Sequence, residues 1–125
     1  MPRGNGELVL LVDDEEPIRN VMRRWLEQFN YCVPTASDGE EAISIVLEYQ
    51  EETRVVVTDS SMPRVDGVAV TRALKKDVPG MKIMVATDLI DSSSITELET
   101  LGVSAIVSKP FAPSTVVSTL RTALA

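Results

Sequence analysis

The sequence predicts an α/β domain: a parallel five-stranded sheet of order 2-1-3-4-5 with helices on both faces. Three observations predict it. Unbroken apolar runs such as Leu8 to Val12 and Val55 to Val57 suit strands buried on both faces, as in a parallel sheet. Stretches with helical apolar spacing separate these runs, and regular strand–helix alternation calls for parallel pairing through right-handed crossovers. Several runs also end in a polar residue, namely Asp13, Asp59, Thr87 and Lys109, at the strand end where open α/β sheets place ligands.

Each element has its own local signal. After Leu8 to Val12 come Asp13-Asp14-Glu15-Glu16, and Pro17 suits the first helical turn, where its missing N–H is not needed. Ile18, Val21, Met22, Trp25, Leu26 and Phe29 then recur as one helical face, with Arg19, Arg23 and Arg24 on the other side. Tyr31 to Ala36 reads as a strand, and Pro34 within it favours a sheet edge. Placing that strand at the edge gives the order 2-1-3-4-5. Ser37-Asp-Gly-Glu40 has the form of a capping box for a helix to about Gln50, with Ala42, Ile45, Val46 and Tyr49 facing the core.

Arg54 to Thr58 is the third strand, closed by Asp59 and a loop bearing Pro63 and Gly67. Val68 to Lys76 is the third helix, stopped by Val78-Pro-Gly80, and Lys82 to Ala86 is the fourth strand, running into Thr87-Asp88. Ser94-Ile-Thr-Glu97 resembles another capping box, for a helix ending at Gly102. Ser104 to Ser108 is the fifth strand, and Pro113 to Leu124 the last helix, with no side-chain N-cap at Ala112.

With 125 residues, the chain fits one domain, and residues 1–6 read as a disordered lead-in to a domain over 7–125. The formal charge of −7, with no run of Lys or Arg, argues against a direct nucleic-acid face. No apolar run approaches the roughly 20 residues of a bilayer span, and no signal-peptide core is present, so no direct membrane contact is expected. The single Cys32 cannot close an internal disulfide; a cytoplasmic setting is expected, with Cys32 a small core hydrophobe. The chain has no histidine, which removes Ser-His-Asp and Cys-His catalysis and most zinc sites.

What remains for chemistry is carboxylates, hydroxyls and lysine. In this topology Asp13, Asp14 and Asp59 meet at the switch point between the first and third strands. Each pair of like charges costs on the order of 4 kcal/mol at about 4 Å in an effective dielectric near 20. A hard divalent cation with oxygen ligands relieves that repulsion, and Mg²⁺ suits one or two carboxylates plus water. The same acids argue against a bare phosphate or flavin phosphate at the first loop. Thr87 and Lys109 rim the same crevice, where a hydroxyl and a compact cation suit a transferred phosphoryl group, with Asp59 as its nucleophile. Taken singly, these residues have plainer readings, such as helix caps for Asp13 and Asp14 and a turn for Lys109-Pro110.

Together, Val12-Asp-Asp-Glu15, Thr58-Asp59, Met62-Pro63, Asp66-Gly67, Thr87 and Lys109-Pro-Phe111 resemble the landmarks of response regulator receiver domains of two-component signalling. The resemblance covers nearly the whole chain. It implies a flavodoxin-like (βα)5 fold and phosphorylation of Asp59 by a sensor histidine kinase or phosphotransfer domain. It implies Mg²⁺ held by Asp14, Asp59 and the backbone carbonyl of Ser61, with Asp13 acting through water. It further implies a cis peptide at Lys109-Pro110 and a downstream output domain or protein regulated through the last helices and strand. Gly4 to Leu8 resembles the lead-in of a C-terminal receiver of a hybrid sensor kinase.

Three departures from the family pattern stand out. Asp88 replaces the small residue after Thr87, and Ile106 replaces the aromatic whose rotation often reports switching. Ser61 and Leu89 occupy positions that tune hydrolysis of the acyl phosphate; Leu89 cannot orient water, so slow self-dephosphorylation is expected, shortened by Leu89→Glu. Asp88 and Ile106 motivate an alternative, an interaction module working without phosphorylation. An aspartyl phosphatase is a third class, but it usually wants an acid where Ser61 stands. Helix one, with Arg19 and Arg23, is the expected kinase-docking face.

Overall fold

The computed structural model describes residues 6–60, 62, 66–87, 92–109 and 113–124. Strands β1 (Leu8–Val12), β2 (Thr35–Ala36), β3 (Thr53–Asp59), β4 (Lys82–Thr87) and β5 (Ala105–Ser108) alternate with helices α1 (Glu16–Gln28), α2 (Gly39–Glu48), α3 (Gly67–Asp77), α4 (Ser92–Leu101) and α5 (Pro113–Leu124). The strands form one sheet of order β2-β1-β3-β4-β5, every pair parallel. This is the flavodoxin-like arrangement expected from the alternating pattern.

Side-chain alternation along each strand divides the core in two. Val9, Leu11, Val55, Val57, Met84 and Val107 face Met22 and Leu26 of α1 and Val116, Val117 and Leu120 of α5. Leu10, Val12, Val56, Ile83 and Val85 face Ala42 and Val46 of α2, Val70 and Leu74 of α3, and Leu98 of α4. The inner stretches of the central strands, Val9 to Val12, Val55 to Val57 and Ile83 to Ala86, are therefore apolar without a break because both faces are covered. Among the described residues, no helix is long and apolar enough to cross a membrane.

Five local expectations are corrected. The second strand is two residues long, with only an isolated bridge at Leu8↔Cys32 before it. Val9, Leu11 and Asp13 donate to the carbonyls of Cys32, Pro34 and Ala36, but Pro34 has no N–H to return, so the ladder breaks there. Cys32 is exposed on this edge rather than buried. The N-cap of α2 is Asp38, which accepts from the Glu41 amide at 2.8 Å, while Glu41 reaches back to the Ser37 amide at 3.2 Å. The box is thus one residue later than the Ser37–Glu40 spacing suggested. Ser94 lies inside α4, which begins at Ser92, rather than ahead of it.

The fifth correction concerns helix faces. Ile18 and Val21 are both 42% exposed and Tyr49 is 46% exposed, although all three sit at core-like spacing. The buried stripe of α1 narrows to Met22 and Leu26, and that of α2 to Gly39, Ala42 and Val46. Arg19 and Arg23 are half-buried rather than pointing clear of the protein. Other boundaries shift by one or two residues, and Gly102, at φ +83°, ends α4 in the left-handed region that glycine adopts freely.

Candidate functional site

The site lies at the C-terminal edge of the sheet. Asp13 directly follows β1, Asp59 ends β3, Thr87 ends β4 and Lys109 directly follows β5. Alternation decides which way each projects. Asp13, Asp59 and Lys109 continue the parity of Leu11, Val57 and Val107, which all face α1 and α5. Carboxylate oxygens of Asp13, Asp14 and Asp59 lie within 4.8 Å of one another. Lys109 Nζ stands 3.0 Å from Asp59 Oδ2. Asp13, Asp14, Asp59 and Lys109 thus meet as expected from their places in the chain. Thr87, expected to rim the same crevice, does not join them at rest: it has the parity of Ile83 and Val85, so its side chain leaves the sheet on the opposite face.

Backbone contacts fix this geometry. Asp59 is paired with Ala86, and the Lys109 amide donates to the Thr87 carbonyl at 2.8 Å, tying the ends of β3, β4 and β5 together. Beyond Asp59 the start of α3 is held against the end of β3, the Gly67 amide donating to the Ser60 carbonyl at 3.0 Å. A Cβ on Gly67 would come within 2.5 Å of the Asp59 carbonyl oxygen and 2.7 Å of Ser60 Cα. Glycine is therefore required there for space. Asp66 caps α3 by accepting from the Ala69 amide at 2.9 Å.

The electrostatics are unbalanced. Asp13 and Asp59 are buried and Asp14 is exposed, while Lys109 pairs with Asp59 and its charge is felt at Asp13. Burial pushes the Asp13 carboxyl above the usual carboxylate range, and the charges of Asp59 and Asp14 add to the rise. The Glu15 amide, donating to Asp13 Oδ1 at 2.9 Å, and Lys109 pull the other way. Arg19 adds a contact that the sequence did not reveal, donating to the Asp13 carbonyl at 2.7 Å. This clusters hard oxygen donors with net negative charge, which is the donor set a divalent cation takes.

Ser61, Asp88 and Leu89, and the Pro110 side of the Lys109-Pro110 bond, lie outside the described residues. Ile106 is half-buried and packs against the α2–α4 core. Sequence reasoning missed Ser60, which is buried and whose Oγ donates to Thr87 Oγ1 at 3.0 Å. The only signal that could have found it is its place beside Asp59.

Comparison with known proteins agrees with this geometry. A family model described as the response regulator receiver domain matches residues 9–121. A probable transcriptional regulator, ycf27, of Guillardia theta is 42% identical over 120 residues, covering 94% of this chain and 45% of that protein. The transcriptional regulatory protein ResD of Bacillus subtilis is 32% identical over 124 residues, covering 99% of this chain and 50% of that protein. The chain thus spans about half the length of these curated relatives. A crystal structure of a response regulator receiver domain protein from Clostridium thermocellum superposes with a TM-score of 0.89 at 27% identity, covering 94% of this chain and 93% of that one. From the strand-end acids, the lysine beside them and these matches, the chain belongs to the response regulator receiver domain family.

Proposed function

We propose that this chain is a phosphoacceptor switch in which Asp59 takes a phosphoryl group from a phosphohistidine on a sensor histidine kinase or phosphotransfer domain. The observation that carries the reading is Lys109 Nζ 3.0 Å from Asp59 Oδ2, beside two further carboxylates. An Asp59 carboxylate oxygen attacks phosphorus, the P–N bond breaks, and the imidazole nitrogen keeps the electron pair. Lys109 offers N–H donors to the phosphoryl oxygens, and Thr87 donates its hydroxyl to one of them once it has moved to the Asp59 side.

The carboxylate cluster suits Mg²⁺; Asp14, Asp59 and the Ser61 carbonyl would hold it, with Asp13 acting through water, and it would neutralise charge on the transferred group. The output is a changed binding surface rather than turnover of a metabolite, and the acyl phosphate is lost by slow hydrolysis. Movement of Thr87 would shift β4, α4, β5 and α5, which a downstream output domain or protein would read. The half-length match to the curated relatives supports such an output part.

The docking face for the donor is the exposed apolar hollow of α1 lined by Pro17, Ile18, Val21, Met22 and Trp25, on the helix that follows Asp13 and Asp14. Arg19 serves it less directly than expected, since its guanidinium holds the Asp13 carbonyl. The test is incubation with acetyl phosphate and Mg²⁺, followed by intact mass. One phosphoryl group per chain, absent in Asp59→Asn, supports the reading. No labelling from acetyl phosphate or from a phosphorylated donor domain would end it.

A further inference from the structure

Ser60 is 4% exposed and directly follows the acceptor. Its amide donates to the Ala86 carbonyl at 3.0 Å, which carries the β3–β4 pairing one residue past Asp59↔Ala86. Residues at matching positions of paired strands project to the same face. Ser60 and Thr87 are such neighbours, and Ser60 Oγ donates to Thr87 Oγ1 at 3.0 Å. Thr87 is itself 2% exposed, so the pair is shielded from water.

The face matters. Ser60 and Thr87 have the parity of Val56 and Val85, which point toward α2, α3 and α4. Asp59 and Lys109 have that of Val57 and Val107, on the opposite side. The hydroxyl that must reach a phosphoryl group on Asp59 is bonded, at rest, to a partner on the other face. We propose that Ser60 is a positioning residue that latches Thr87 in its resting orientation and so sets how readily the switch turns. This inference rests on the phosphoacceptor reading above.

Ser60→Ala deprives a buried acceptor of a donor in the resting state only. In the loaded state Thr87 has exchanged that contact for the phosphoryl oxygen, so the variant favours loading. One buried hydrogen bond corresponds to about a two- to tenfold change in an equilibrium constant. The probe is beryllium trifluoride, a tetrahedral phosphoryl analogue, titrated with Mg²⁺ into the full chain and followed by ¹⁹F NMR.

Ser60→Ala should lower the half-saturating concentration by about two- to tenfold. It should also move the Thr87 methyl resonance of the unloaded protein toward its loaded position. In a Thr87→Val background, which keeps shape but removes the hydroxyl, the effect of Ser60→Ala should vanish. Should Ser60→Ala fail to fold, Ser60→Cys, a weaker donor of similar size, should shift loading in the same direction. Unchanged or weaker loading in Ser60→Ala, or an effect that persists with Val at position 87, overturns the latch alone. A wild-type chain that binds no beryllium trifluoride overturns the phosphoacceptor reading and the latch together.

Discussion

Asp13→Asn should make the metal-free protein more stable, although it removes a group proposed for the working site. Asp13 is 3% exposed, and its carboxylate lies within 4.8 Å of Asp59. Two unit charges at that distance repel by about 3.5 kcal/mol with an effective dielectric near 20, and Lys109 offsets part of it. Asparagine keeps an oxygen for the Glu15 amide and loses the charge. A net gain of about 1–2 kcal/mol is expected, or about 4–8 °C in Tm for a chain of this length. The gain depends on pH in a definite direction. The folded-state pKa of Asp13 lies above the ordinary 3.8. Between those two values the folded protein binds more protons than the unfolded one, so the Asp13 contribution to stability falls as pH rises through that window. The wild-type deficit should therefore be full above it and shrink as pH approaches 3.8. Added Mg²⁺ should raise the Tm of wild type more than that of Asp13→Asn. The assay is thermal unfolding by circular dichroism at several pH values, with EDTA or Mg²⁺. A natively folded Asp13→Asn with unchanged or lower Tm in EDTA, or a difference independent of pH, would refute the reasoning.

Three further outcomes follow from the same geometry. Lys109→Ala should act with opposite sign, lowering metal-free stability in urea by about 1–3 kcal/mol because the buried Asp59 carboxylate loses its cation. It should also weaken beryllium trifluoride binding, measured by the same titration. Gly67→Ala should cost about 1–3 kcal/mol by urea unfolding, since its Cβ would meet the Asp59 and Ser60 backbone rather than a side chain that could move. Ile18→Asp, at a residue 42% exposed, should slow transfer from a phosphorylated donor domain while leaving labelling by acetyl phosphate unchanged; equal rates from the donor domain would remove α1 as the docking face.

Much of the fold could be read from residue pattern because each central strand is apolar on both faces, and that constraint is written along the chain itself. Asp13, Asp59 and Lys109 were legible for a related reason: a polar residue ending a buried strand is placed by topology alone. Other features depend on contacts between distant segments. Ser60 carries no pattern of its own; its bond to Thr87 exists only because Asp59 pairs with Ala86 rather than with a neighbour. Ile18 and Val21 have core spacing but lie at the edge of the stripe that α1 buries. Ser37 and Asp38 can both cap, and acids at 40 and 41 fit either choice, so composition could not separate two registers one residue apart. Arg19 curls back to Asp13, which a helical wheel cannot show.

The most direct measurement traps the bond itself. After incubation with a phosphoryl donor and Mg²⁺, borohydride reduces an acyl phosphate to an alcohol and leaves a phosphoserine untouched. Peptide mass spectrometry should then find Asp59 converted to homoserine in treated protein only, with Asp13, Asp14 and Ser60 unchanged. Incorporated phosphate with Asp59 intact, or homoserine at another aspartate, would contradict the account.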